Sequence, residues 1–155
     1  IGCIVSHNKD MMAAAMKFAQ ARLCPPVLGQ IASIGALDTP DEYFTAVKEE
    51  YIKRRDFMIN GLNKMKGVYT PLPMGAFYTV AELPVDDTEN FARWMLEEFR
   101  LDNGTTMVTP AASFYKTEGM GLNHARIAYV LEIPEMEKAL RILEAGLKAY
   151  PGRTI

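Results

Sequence analysis

Histidine is the side chain most often used as a general acid or base, and this sequence holds two, His7 and His124. Neither sits in a pattern of Cys, His and carboxylate at metal-ligand spacing, so no zinc site is expected. Ser6–His7 and Ser113–His124 could be written as nucleophile–base pairs. No GxSxG elbow surrounds either serine, and nearness along the chain says little about geometry, so capping or surface roles are the simpler reading of both histidines. Gly119-Met120-Gly121-Leu122-Asn123-His124 opens like a GxGxxG loop but ends in His and leads into a strand, the wrong context for a dinucleotide. No P-loop is present.

Arg126 carries more. It stands in Asn123-His124-Ala125-Arg126-Ile127-Ala128-Tyr129-Val130, where a guanidinium begins an otherwise apolar strand. Its planar fork suits a carboxylate bidentately. The plain alternative is an internal salt bridge with one of the chain's 19 acidic residues, since structural ion pairs are common. On the strand alone both readings stay open, with the salt bridge ahead.

The elements that must position these residues follow from pattern. Ile1–Val5 is a short apolar, strand-like run, and Ser6-His7-Asn8 supplies capping chemistry for a helix from Lys9 to about Leu23. Cys24-Pro25-Pro26 breaks it, and Val27–Leu37 reads as a second, small-residue helix. Thr39-Pro40-Asp41-Glu42 combines a Thr cap, Pro at the first helical position and Glu three residues on. It opens a long helix expected over Pro40–Lys66, with Phe44, Tyr51, Met58 and Met65 recurring along one seam. Beyond Gly67, Val68–Thr70 and Ala76–Val80 read as strands and Asp86–Glu89 opens a helix that turns Phe91, Met95 and Phe99 inward. Thr105–Thr109, after an Asn103-Gly104 turn, and Arg126–Val130 read as two more strands. Pro134 starts a last helix with Met136, Leu140, Leu143 and Leu147 on one face, stopped by Pro151-Gly152. The order from Val68 is ββαββα, and the methionines Met58, Met65, Met95 and Met136 are core filling.

Composition bounds the rest. The chain has 155 residues, 49% hydrophobic and 23% charged, which is ordinary globular make-up. Such a length buries about two-thirds of the unfolded surface and needs no metal or disulfide staple. A net charge of −2 gives no overall attraction for nucleic acid or an anionic membrane, and no apolar run approaches the roughly 20 residues of a membrane span. Cys3 and Cys24 form neither a CxxC pair nor a disulfide framework, which points to a reducing, cytoplasmic setting. The apolar opening at Ile1 reads as the cut end of a longer protein.

Three segments in order resemble the C-terminal part of the fold-type I, pyridoxal-phosphate-dependent aminotransferases, the aspartate aminotransferase-like group. Pro73-Met74-Gly75-Ala76-Phe77-Tyr78 is similar to the family's P-x-G-A-F-Y strand. Val108-Thr109-Pro110-Ala111-Ala112-Ser113-Phe114 is similar to its V-x-P-G-x-x-F segment, with Ala111 where the family has Gly. Ala125-Arg126-Ile127-Ala128-Tyr129 is similar to the terminal strand whose arginine binds the substrate α-carboxylate. Ile1-Gly2 resembles the residues that follow the family's G-x-R, just beyond its Schiff-base lysine.

The resemblance implies an α+β fold, the small C-terminal domain of the fold-type I transferases, with helices left from an α/β large domain. Residues 1–37 would be a remnant of the large domain, 38–66 the long interdomain helix and 67–155 the small domain. It implies a parent that moves an amino group between an amino acid and a 2-oxo acid, as a cytoplasmic homodimer. Arg126 would bind the substrate carboxylate, Phe77 and Tyr78 would support the wall beside the site, and Arg22 is left without a role. The lysine and the other cofactor-binding groups would lie upstream of Ile1, and Lys9 does not match the lysine motif. This chain alone would then bind no pyridoxal phosphate and give no turnover. Two rivals remain: a lyase or decarboxylating acyltransferase of the same fold, and a stand-alone ferredoxin-like module that holds a small carboxylate on Arg126.

Overall fold

A computed structural model describes all residues, Ile1–Ile155, and the chain divides into two units, Ile1–Thr45 and Ala46–Ile155. The first holds two helices, α1 (Lys9–Arg22) and α2 (Val27–Ala36), and the start of a third, α3 (Asp41–Asn63). Asn8 caps α1 as its sequence suggests: its side-chain oxygen accepts from Met11 N at 2.9 Å. Ile1–Val5 forms no strand. An apolar run becomes a strand only where another edge offers its backbone hydrogen bonds, and none is paired with it. No residue of this unit is buried, and Ile4, Phe18, Leu28, Ile31 and Ile34 are exposed.

Helix α3 is shorter than the pattern suggests, beginning at Asp41 and ending at Asn63. The Thr39 hydroxyl donates 2.8 Å back to Ala36 O at the end of α2 rather than capping α3. At the other end, Gly67 takes φ +79°, and Met65 N and Val68 N bond back to Leu62 O and Met65 O. These turns unwind the chain before Lys66. Of the expected seam, Met58 and Met65 are buried and Tyr51 packs against the core, but Phe44 is exposed.

In the second unit, β1 (Tyr78–Glu82), β2 (Thr109–Pro110) and β3 (His124–Ala128) form an antiparallel sheet in the order β1-β3-β2. It carries α4 (Thr88–Glu97), a 3-10 turn at Ala112–Phe114 and α5 (Ile133–Ala149). Compared with the expected ββαββα, the first strand shrinks to a single bridge, Tyr69 to Glu82. The last begins two residues earlier than the apolar run suggests, and Thr105–Val108 stays irregular. The turn before it centres on Asp102-Asn103, both at positive φ, with Leu101 and Gly104 exchanging backbone bonds of 3.0 and 2.9 Å across it. Short-side-chain Asx residues tolerate that conformation.

The sheet is apolar on one face only. Ala81 of β1 and Ala125 of β3 are buried in one cluster with Phe91 and Met95 of α4 and Met136, Leu140, Leu143 and Leu147 of α5, and Thr79 of β1 is buried with its hydroxyl bonded to that of Thr70. Asp87 caps α4, its carboxylate accepting from Glu89 N and Asn90 N, and Pro134 lies in the first turn of α5. Tyr78, Val80 and Glu82, together with His124, Arg126 and Ala128, occupy the opposite, open face.

Candidate functional site

Arg126 sits at the centre of that open face. On β3 it lies between Val80 of β1 and Thr109 of β2, its register partners on either side. Neither neighbour is ionisable. The ion pairs of the chain join Glu50 to Arg54, Arg55 to Asp56, Glu82 to His124, Asp102 to Arg141 and Glu144 to Lys148. Arg126 is in none of them, so the internal salt bridge is not what this guanidinium does.

Two aromatic rings flank it instead. Arg126 Cζ is 5.5 Å from the centre of the Tyr78 ring and 5.6 Å from that of Phe114. Cation–π contacts of this kind contribute about 0.5–1 kcal/mol each at exposed sites. Neither contact neutralises the charge, and the Arg126 side chain donates to no oxygen of the chain, being in none of its ion pairs. The result is an exposed, oriented, unneutralised cation with donors to spare, which is the arrangement that takes a carboxylate. Phe77, just before β1, packs edge-on against Tyr78 with ring centres 5.7 Å apart.

His124 occupies the same face two residues earlier. Its Nδ1 is 2.7 Å from the Tyr115 hydroxyl and its Nε2 is 3.4 Å from Glu82 Oε1. Ser113 is not its partner, and Ser6 instead accepts from Asn8 N. Neither Ser6–His7 nor Ser113–His124 is a hydrogen-bonded pair. No group of three or more metal-ligating side chains occurs. The apolar run Arg126–Val130 leaves His124 just outside the expected strand, whereas β3 begins at His124. The alternation of faces along β3, had it been carried back two residues, would have set His124 beside Arg126.

Comparison with known proteins bears on the site. No protein-family model matches the chain. The aspartate aminotransferase of Rhizobium meliloti is 28% identical over 149 residues, which span 88% of this chain and 34% of that protein. Its homologues are aminotransferases. In structure, the α-aminoadipate aminotransferase LysN of Thermus thermophilus, solved with a phosphopyridoxyl-leucine, superposes with a TM-score of 0.76 at 26% identity. The match covers 93% of this chain and 36% of that one. An alanine aminotransferase of Pyrococcus furiosus gives 0.72 at 26% identity, over 92% of this chain and 35% of that one.

The aminotransferase-like chain thus spans about a third of the length of the relatives it matches. Its fold is that of a part of the fold-type I aminotransferases, and neither rival, lyase or stand-alone carboxylate module, is favoured by the matches. The family implies pyridoxal phosphate, which needs a lysine amine for its aldehyde and donors for its phosphate. The residues around Arg126 do not fit that group: its neighbours are the rings of Tyr78 and Phe114, with no primary amine among them. Lys9 opens α1 in the other unit.

Proposed function

We propose that this chain forms the C-terminal part of a pyridoxal-phosphate-dependent aminotransferase, and that Arg126 holds the α-carboxylate of its amino-acid and 2-oxo-acid substrates. In this reading residues 1–37 belong to the large domain, 38–66 to the connecting helix and 67–155 to the small domain. The enzyme works as a cytoplasmic homodimer, and the cofactor and its lysine are held by sequence outside Ile1–Ile155. The single observation that carries the reading is the unpaired Arg126 guanidinium between Tyr78 and Phe114. Its position within a strand similar to the family's carboxylate-binding strand adds to it.

Arg126 then does positioning work. A bidentate clamp on the carboxylate fixes the rotation of the substrate about its Cα, and so decides which Cα bond is aligned for cleavage. The relatives named above act on aspartate, α-aminoadipate and alanine. All three substrates share the α-amino acid head that Arg126 would grip and differ in the side chain it would not touch.

The test is substitution in the full-length enzyme. Arg126→Ala should abolish most amino-acid turnover while leaving cofactor absorbance and affinity in place. Equal loss of both would make Arg126 structural and overturn the reading. The 155-residue chain alone, given pyridoxal phosphate, an amino acid and a 2-oxo acid, should give no turnover, because covalent catalysis through lysine is not available to it. Turnover by that chain would overturn the assignment of the lysine.

A further inference from the structure

The open face of the sheet holds a second arrangement that carboxylate binding does not by itself require. His124 grips the segment Ala111–Tyr115 at both ends. Its backbone carbonyl accepts from Ala111 N at 2.9 Å, and its ring meets the Tyr115 hydroxyl at 2.7 Å. Between these two fastenings lies Phe114, the residue whose ring faces Arg126. The imidazole is fixed from its far side as well, where Nε2 approaches Glu82 Oε1 at 3.4 Å.

The donor and acceptor roles at the imidazole follow its tautomer, and one neutral tautomer lets every member pair. The Tyr115 O–H donates to Nδ1, and Nε2 carries the ring proton and directs it at the Glu82 carboxylate. The Tyr115 ring is also held from outside. Gly121 takes φ +72° and presents its backbone so closely that a Cβ there would collide with the Tyr115 ring. Thr88 fastens the strand from beneath, its hydroxyl donating 2.9 Å to His124 O and 3.0 Å to Leu122 O. The segment that carries Phe114 is otherwise short of anchors: its 3-10 turn is closed by only two local bonds, Phe114 N to Ala111 O and Tyr115 N to Ala112 O.

We infer that His124, through Tyr115, is a positioning residue for Arg126: the Glu82–His124–Tyr115 chain sets where Phe114 lies and thereby how the guanidinium is presented to a carboxylate. This deepens the proposed function, since it rests on Arg126 as the carboxylate group, but the geometric part is testable without it. Two ring contacts, to Tyr78 and Phe114, restrict where the guanidinium lies. If Phe114 is released, Arg126 keeps its charge but loses orientation, and a bidentate ligand then pays more entropy to bind.

The experiment is nuclear magnetic resonance on the full-length protein labelled with nitrogen-15 at arginine alone, reading the Nε–Hε signal of Arg126, assigned by its loss in Arg126→Lys. The guanidinium carbon is 5.5 and 5.6 Å from the centres of the Tyr78 and Phe114 rings, so the signal should respond when either ring moves. Tyr115→Phe removes one oxygen and should move the signal toward the position of a free arginine. His124→Leu should do the same. His124→Asn, whose carbonyl oxygen stands near the place of Nδ1, should restore the wild-type position, while His124→Gln, which reaches toward the place of Nε2, should not. Rescue by Asn but not Gln is not what a merely structural histidine would give. An unchanged Arg126 signal in Tyr115→Phe overturns the inference even if His124→Leu does not fold.

A titration with pyruvate separates the two claims. Tyr115→Phe should weaken pyruvate binding by about three- to tenfold, the range expected from one neutral hydrogen bond. If the signal moves in Tyr115→Phe but does not respond to pyruvate in the wild type, the positioning role stands and the carboxylate reading falls. If pyruvate binds at Arg126 with equal affinity in wild type and Tyr115→Phe, the positioning role falls alone.

Discussion

Asn63 and Thr70 are joined by two reciprocal hydrogen bonds: Asn63 Nδ2 donates to Thr70 O and Thr70 N donates to Asn63 Oδ1, each at 2.9 Å. The carboxamide thus behaves as a strand partner. It satisfies both backbone groups of a residue that is 1% exposed, at the point where the chain leaves α3 and runs toward β1. Thr70 in turn shares a hydroxyl–hydroxyl bond with Thr79 of β1.

Asn63→Ala should therefore cost more than the loss of one surface contact. Two bonds go, and the Thr70 amide is left buried without its partner, so a loss of about 2–3 kcal/mol is expected. Urea unfolding of wild type and variant checks it. Asn63→Asp keeps the acceptor and loses the donor, and should fall between the two.

The same pair explains part of what the sequence could and could not tell. Elements set by local chemistry were legible: Asn8 before α1, Asp87 before α4, Pro134 in α5, and the inward residues Phe91, Met95, Met136 and Leu143. Elements that depend on distant partners were not. Val68–Thr70 has strand-like residues, but Thr70 spends its backbone bonds on Asn63, so only Tyr69 reaches Glu82. Arg126 was found by its type in an apolar strand. Its freedom from carboxylates was not, because that depends on Val80 and Thr109 lying across from it. The place of His124 is hidden in the sequence for the same reason, since Glu82 comes to it only through the β1–β3 register.

Gly121 and Gly119 offer a matched pair. Both take positive φ, +72° and +77°, but a Cβ at Gly121 would strike the Tyr115 ring, whereas at Gly119 nothing lies within 4 Å. Gly119→Ala should cost about 1–2 kcal/mol from the backbone alone. Gly121→Ala should cost more, and the excess measures how firmly Tyr115 is seated. Thermal unfolding of both variants reads the difference, and equal costs would mean that the Tyr115 ring moves aside freely.

Tyr150 gives the chain a pH dependence at the alkaline end. Burial, and then the hydrogen bond of 3.0 Å to Asp86 Oδ1 with the negative charges of Asp86 and Asp87, push its phenol up to about 12 from the usual 10.0. The folded state therefore keeps the proton that the unfolded state releases first. This contribution is fully present below pH 10.0 and is lost as pH rises toward about 12. Tyr150→Phe removes it. Stability measured from pH 9 to about 12 should fall less steeply in the variant than in the wild type.

Arg126→Lys asks whether the fork or merely the charge matters. Lysine keeps the positive charge on the open face, but it offers a compact, strongly hydrated ammonium with no planar pair of donors, and it stacks less well between Tyr78 and Phe114. If the site needs only a cation, the variant should bind pyruvate or an amino acid within about twofold of wild type, the scale of a surface charge contact. If it needs a bidentate, ring-held fork, the loss should be about tenfold or more, because one charge-assisted hydrogen bond and its orientation go together. In the full-length enzyme that loss should appear in kcat as well as KM. A carboxylate that is held by one bond is free to rotate, and rotation about Cα misaligns the bond to be broken. A change confined to KM would show that Arg126 gathers substrate without orienting it.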